Sequence, residues 1–317
     1  MQTFRTIMPA QQAPFSLSYK HQTLSLGSCF AVHIGQRLQK NKFSILNNPF
    51  GVLYNPISML KSLERLRSGQ LYQSQDLFEQ HNLWHNFDYH GAFSHFKQDM
   101  ALQAMNDALQ QGQKQLNNCQ RIILTFGTAY VFEHIDQQRI VANCHKVPAT
   151  YFRRYRLNIK DITPPWIKLL QSLKAANPDL KVILSVSPIR HLRDGLVENQ
   201  RSKATLILAM EEICRQFDFV HYFPAYELLL DDLRDYRFYD RDLSHPNGFA
   251  IDYIWNYFRQ TYFDESTTQI FQQVNKILIS SEHRPLHPGS PAHRQFSIQL
   301  RKKIEALQKK YPFLDLD

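Results

Sequence analysis

The sequence predicts an α/β fold: a three-layer sandwich around a mainly parallel sheet, with a helical insertion and a C-terminal helix. Three observations predict it. Short apolar runs alternate with helical segments, the rhythm that builds crossover units. The runs RIILTFG (121–127) and KVILSVSP (181–188) are continuously apolar, as strands covered on both faces must be. With 317 residues, 43% of them hydrophobic, the chain has enough apolar mass for one large domain or two ordinary ones, and disorder of the whole chain is excluded.

The first strand is TLSLG (23–27), followed by a Gly turn and a helix carrying Ala31, Ile34 and Leu38 at helical spacing. KFSIL (42–46) is the second strand. NPISMLKSLERLRSG is a helix with Asn55 as its cap, Pro56 in its first turn and Gly69 past its end. Residues 70–118 interrupt the rhythm with an aromatic- and His-rich stretch and a long polar helix (97–117), read as an insertion covering the C-terminal edge of the sheet. After the strand 121–127, residues 128–160 form a second insertion, a hairpin of AYVFEH and RIVANCH turning at DQQ. DITPPWIKLLQSLKAANP is the next helix, 181–188 the next strand, ENQRSKATLILAMEEICRQF (198–217) an amphipathic helix and FDFVHYF (217–223) a strand. NGFAIDYIWNYFRQTYF (247–263) closes the series. The domain therefore spans 1–263, and 264–317 holds a Pro/Gly/His-rich linker (283–294) and a basic amphipathic helix.

Composition narrows the function. No apolar run reaches the roughly 18 residues of a membrane helix, and the start of the chain shows no apolar signal region. Cys29, Cys119, Cys144 and Cys214 form no CxxC pair, which argues against a zinc ribbon and a disulfide framework and for a reducing, cytoplasmic setting. The net charge is +9 and the pI near 9.3, but the Lys and Arg residues are scattered, which speaks for a solvated surface over a nucleic-acid site. His81, His85, His90 and His95 have loose metal-like spacing without the Glu of a metalloprotease motif, so aromatic packing is expected there. The reading includes no metal and no cofactor, and it leaves the oligomeric state open.

Ligands of parallel α/β sheets sit at the C-terminal ends of the strands. Gly27, Ser28 and Cys29 lie there, and so does the loop YRFYDRDLSHPNG. In that loop Asp242 precedes His245 by three residues, near enough to hold its Nδ1 and leave Nε2 free as a base.

GSCF after the first strand and DLSHPN before the last helix resemble the first and last blocks of the SGNH/GDSL hydrolase superfamily. LGSCFA carries the motif that names the GSCFA-domain family within it. The resemblance covers residues 1 to about 263. It implies an SGNH-like fold and a nucleophile, His and Asp acting on esters, as in esterases, lipases and carbohydrate deacetylases. The superfamily's first block is Gly-Asp-Ser; laid on it without gaps, Gly27 takes the Gly and Cys29 the nucleophile position. A one-residue shift would select Ser28 instead. Cys29 is preferred, since a helix N-terminus and a nearby His favour a thiolate. The plain readings are a small buried hydrophobe for Cys29 and a helix cap for Ser28. Gly51 matches the second block, as an oxyanion donor through its N–H or as a plain turn. Gly127 matches the Gly of the third block, Gly-x-Asn, but Ala129 stands where the Asn belongs. Asn143 is the candidate replacement, with His145 or Lys146 as binders of an anionic group; the plain reading of all three is a polar hairpin end. Arg190 in SVSPIRHLRDG could clamp a substrate carboxylate or phosphate, or pair with Asp194 or Glu198.

The expected function is hydrolysis or transfer of an acyl group from an ester or thioester of a small molecule or carbohydrate, with an anionic acceptor such as a phosphorylated sugar. The alternative is a catalytically inactive binding or regulatory protein on the same fold, which the missing Asn favours and the Asp242–His245 pair opposes.

Overall fold

The computed structural model describes residues 5–282 and 287–316. At its centre run five parallel strands: β1 (Thr23–Gly27), β2 (Ile45–Asn47), β5 (Arg121–Phe126), β9 (Lys181–Val186) and β10 (Val220–Phe223), in the spatial order β10-β9-β5-β1-β2. The chain builds β2 on one side of β1, then crosses back to lay β5 on the other. The strand order therefore reverses between β1 and β5, and a crevice opens at their C-terminal ends. The register there pairs Leu26 with Leu124 and Gly27 with Thr125.

Both faces of the sheet are covered, which explains the unbroken apolar runs. Leu24, Leu26, Ile122, Leu124, Phe126, Leu184 and Val186 point into one core, against α2 (Pro56–Ser68), α3 (Gln98–Asn118), α4 (Ile159–Ala176) and α5 (Gly195–Gln216). Ile123 and Ile183, one residue out of phase, point into the other, against α1 (Cys29–Lys40), α7 (Gly248–Tyr262) and α8 (Glu265–Ser281). A short α6 (Ala225–Glu227) leads into a π-helical turn, Leu228–Leu233, that packs into this second core. The three-layer α/β architecture with a parallel sheet is the one expected from the sequence.

Local signals place the helices. Asn55 accepts a hydrogen bond from the Ser58 N–H ahead of Pro56, and Gly69 ends α2 in the left-handed region at φ 64°. Helix α4 begins earlier than Pro164 suggests, because Asn158 and Asp161 form a capping box, and both prolines lie inside the helix. Helix α8 is an element the sequence reading omits. It buries Ile270, Phe271 and Val274 in the second core, and α9 (Pro291–Lys310) lies against it with Leu307 buried. The linker expected at 283–294 falls partly outside the described residues.

The insertions differ from expectation. Residues 70–118 contribute a two-stranded ribbon, β3 (Phe78–Gln80) and β4 (Leu83–His85), and helix α3, which packs on α2 and β1. Residues 128–160 hold three strands rather than a hairpin: β6 (Tyr130–His134) pairs antiparallel with both β7 (Arg139–Val141) and β8 (Phe152–Arg156). It is this small sheet that flanks the crevice.

Candidate active site

A cavity of about 430 Å³ opens at the β1/β5 end of the sheet, within the usual size of a small-molecule site. Cys29 and Tyr54 lie in its wall, with Asp242 and His245, the β6–β8 residues Tyr130, Phe132 and Arg154, and Arg190, His191 and Arg193. The cavity thus joins the two sequence blocks that lie farthest apart in the chain.

Gly27 is what lets the first block form. A Cβ there would sit 2.6 Å from the Thr125 carbonyl oxygen, so only glycine permits β1 and β5 to pass this closely. The Ser28 N–H then donates to Thr125 O at 3.2 Å, and α1 starts at Cys29. Ser28 occupies the cap position, yet its hydroxyl makes no cap bond. It is 1% exposed, and its Oγ has no hydrogen-bond partner among the described residues. Cys29 is half-buried, and its Sγ lies 3.5 Å from Tyr54 Oη. Both residues border the cavity, but the Ser28 hydroxyl is buried while Cys29 is half-buried. The other thiols are pushed up by burial, Cys119 to about 12 and Cys144 and Cys214 to about 11.

The second block folds as a tight loop. Asp242 Oδ2 lies 2.5 Å from His245 Nδ1, and Oδ1 accepts from the N–H groups of Ser244 and His245, each at 2.9 Å. These two backbone bonds, and then the His245 ring, hold the Asp242 carboxyl down at about 2. Asn247 fixes the loop from below, accepting from Ala250 N–H as the cap of α7 and donating to the Arg237 carbonyl at 2.7 Å. Arg190 N–H donates to Ser244 O, tying the loop after β9 to it. No hydrogen bond joins Cys29 to His245 among the described residues; the thiol's partner is Tyr54.

Behind the cavity, Lys203 of α5 is fully buried. Its Nζ donates to Gly127 O at 2.6 Å and Ser187 O at 2.7 Å, pinning together the ends of β5 and β9. Burial lowers its ammonium to about 7. His191 packs edge-on to Tyr54, with ring centroids 5.6 Å apart, and burial together with the Lys203 charge lowers it to about 3, so it is neutral.

Four sequence assignments are corrected. Gly51 N–H donates to Asn48 O at 2.8 Å, and Gly51 itself packs against His90 at φ 75°; it is a turn, and its donor is spent. Gly127 N–H donates to Tyr54 O at 2.7 Å, so this glycine positions the crevice wall and presents no free donor. Asn143 Oδ1 accepts from His145 N–H, and Asn143 lies outside the cavity lining. His145 is buried against His85, with Nε2 2.8 Å from the Asn86 carbonyl, and burial lowers it to about 4; it belongs to the packing of the insertion. Arg190 does border the cavity, stacked over Tyr239 at 5.0 Å, and neither expected partner takes it: Asp194 pairs with Arg154, and Glu198 with Arg201. Of the four histidines at 81–95 only His85 is buried, set between Ser94 Oγ and Gln80 O, while His81 is exposed, and no cluster of three or more metal-ligating residues occurs among the described residues.

The sequence reading misses Tyr54, Arg154 and Lys203. Only Lys203 leaves a trace in the sequence: a lone cation on the apolar stripe of α5, in phase with Leu206 and Met210.

Residues 22–258 match the GSCFA family, and residues 274–317 match the GSCFA domain protein C-terminal domain. The chain belongs to the GSCFA family. No curated protein matches it. Two solved structures are similar at low levels. One is provisionally described as a platelet activating factor from Streptococcus pneumonia, with 11% identity over 75% of this chain and 82% of that one, at a TM-score of 0.40. The other is a carbohydrate esterase family 3 protein from Talaromyces cellulolyticus, with 10% identity over 81% and 99% of the two chains, at a TM-score of 0.33. Likeness at that level transfers no activity. No helix among the described residues is long and apolar enough to cross a membrane.

Proposed function

We propose that this GSCFA protein is an SGNH-type hydrolase or acyltransferase of the reducing cytoplasm that cleaves an ester or thioester through Cys29, His245 and Asp242. The observation that carries the reading is the meeting of an accessible thiol at a helix N-terminus with an Asp-held imidazole in one small-molecule-sized cavity. In this scheme His245 takes the thiol proton as Sγ attacks the carbonyl carbon. The C–S bond forms, the bond to the leaving oxygen or sulfur breaks, and His245 returns the proton to the leaving group. Water or an acceptor hydroxyl, deprotonated by His245, then attacks the thioester carbonyl and releases the thiol. The Cys29 N–H, in the first turn of α1 where the N–H groups have no helical acceptor, supports the developing oxyanion.

The substrate carries an anionic group in this reading. Three guanidinium groups border the cavity, and among the described residues only Arg154 has a carboxylate partner; Arg190 and Arg193 lie over Tyr239 and Phe132 with their charge unpaired. A phosphate or carboxylate on a small acylated molecule or carbohydrate fits that wall.

The test is intact-protein mass after brief exposure to p-nitrophenyl acetate, for wild type, Cys29→Ala, Ser28→Ala and His245→Ala. An adduct present in wild type and Ser28→Ala, and lost in the other two, is expected. An adduct lost only in Ser28→Ala would move the nucleophile by one residue. No His245-dependent adduct in any protein would favour the inactive binding protein, to which the thiol's bond with Tyr54 rather than His245 already lends some weight.

A further inference from the structure

An oxyanion formed at Cys29 needs more than one backbone N–H, and the superfamily's usual side-chain donor is missing. Ala129, at its place, is fully buried, with its N–H donating to Ser202 Oγ, so a donor side chain there would enter the core and not the cavity. Most other polar groups around the thiol are committed elsewhere or, like the unpartnered Ser28 Oγ and His191 Nε2, are buried. Asn55 caps α2 and donates to Ser58 Oγ. Thr128 Oγ1 bonds with Ser202 Oγ and accepts from Tyr130 N–H. Tyr130 Oη donates to Glu198. The arginines lie over the rings of Tyr130, Phe132 and Tyr239.

Tyr54 is different. It borders the cavity, the partner of its hydroxyl is Cys29 Sγ at 3.5 Å, and its backbone carbonyl accepts from both Gly127 and Thr128 N–H. That double anchor ties the residue to the end of β5, while neutral His191 packs on its ring. Burial and the neighbouring sulfur raise the phenol well above its ordinary range, so it stays protonated as a donor.

We propose that Tyr54 is the missing oxyanion donor: its hydroxyl pairs with the sulfur in the resting site and donates to the carbonyl oxygen as that oxygen takes up negative charge beside the newly bonded Sγ. This rests on Cys29 being the nucleophile. The phenol keeps its proton throughout; only its partner changes, from sulfur to oxygen, and no further reactant is needed.

Two reagents separate this role from a general effect on the thiol. Iodoacetamide alkylates a thiolate by displacement at a saturated carbon and forms no oxyanion. p-Nitrophenyl acetate acylates the same atom through one. The full-length protein and Tyr54→Phe are each exposed to both, and the adduct at Cys29 is timed by peptide mass after quenching, which separates it from adducts at partly buried Cys144 and Cys214. Label appearing on the fully buried Cys119 peptide reports the unfolded fraction. Tyr54→Phe should leave alkylation within about threefold of wild type and slow acylation by about 10²–10³-fold, the loss typical of one oxyanion donor. An equal fall in both rates would show that Tyr54 only tunes the thiol, and unchanged acylation would show no role; either overturns the proposal. A wild type that alkylates at Cys29 but forms no His245-dependent acyl adduct would overturn the acyl-transfer reading itself, and this inference with it, before the variant is examined.

Discussion

Lys203 offers a quantitative test of how the crevice is built. Its ammonium is fully buried, bonded to two carbonyls and set over the Tyr226 ring, and burial lowers it from 10.5 to about 7. The unfolded chain keeps the ordinary value. Between pH 7 and the unfolded value the unfolded state therefore binds more protons than the native state. Stability from this residue then rises with pH, is complete above the unfolded value, and is lost as pH falls toward the folded value. Integrated from pH 7 to 9, the gain is about 2 kcal/mol. Lys203→Met removes it. His191 titrates near 3 and stays out of this window, and the remaining groups cancel in the difference between the two proteins. Urea unfolding of wild type and Lys203→Met at pH 7, 8 and 9 measures it, with wild type gaining about 2 kcal/mol on the variant across the range. The absolute offset has competing parts, since the variant orphans two carbonyls but sheds a buried charge; the slope does not. Parallel curves would refute the reasoning and show that the Gly127 and Ser187 carbonyls solvate the ammonium as well as water does.

Asp242→Asn keeps an oxygen for the Ser244 and His245 N–H groups but loses the anion at His245 Nδ1, so acylation should fall by about 10²–10⁴-fold while the melting temperature barely moves. Because Asp242 is held down at about 2, the wild-type pH–rate profile of acylation should show no inflection from it above about pH 3. Asn143→Ala should acylate at the wild-type rate, and His145→Ala should do the same in its folded fraction while unfolding at lower urea, since His145 serves the insertion's packing. Arg193→Gln and Arg190→Gln should raise KM for an anionic ester about tenfold or more and leave a neutral ester untouched, one charged hydrogen bond being worth about 1.5–3 kcal/mol; equal effects on both esters would remove the anion-binding wall.

The strands, most helices and the Asp242–His245 pair are legible in the sequence because they depend on near neighbours. Periodicity marks a covered strand, Asn55-Pro56 and Gly69 mark the ends of a helix, and a carboxylate three residues before a histidine is within reach of its ring whatever the rest of the chain does. The choice between Ser28 and Cys29 is not local. It turns on how far each side chain is covered once α1 packs at the strand ends, and there Ser28 is 1% exposed while Cys29 is half-buried. The misassigned donors fail for the same reason. Gly51 and Asn143 carry the right groups, but the Gly51 N–H is committed to Asn48 and Asn143 lies outside the cavity lining. Tyr54 meets Cys29 across 25 residues, Arg154 meets Asp194 across 40, and Lys203 meets Gly127 across 76. No spacing rule reaches that far, because such contacts exist only once the sheet has brought its strand ends together.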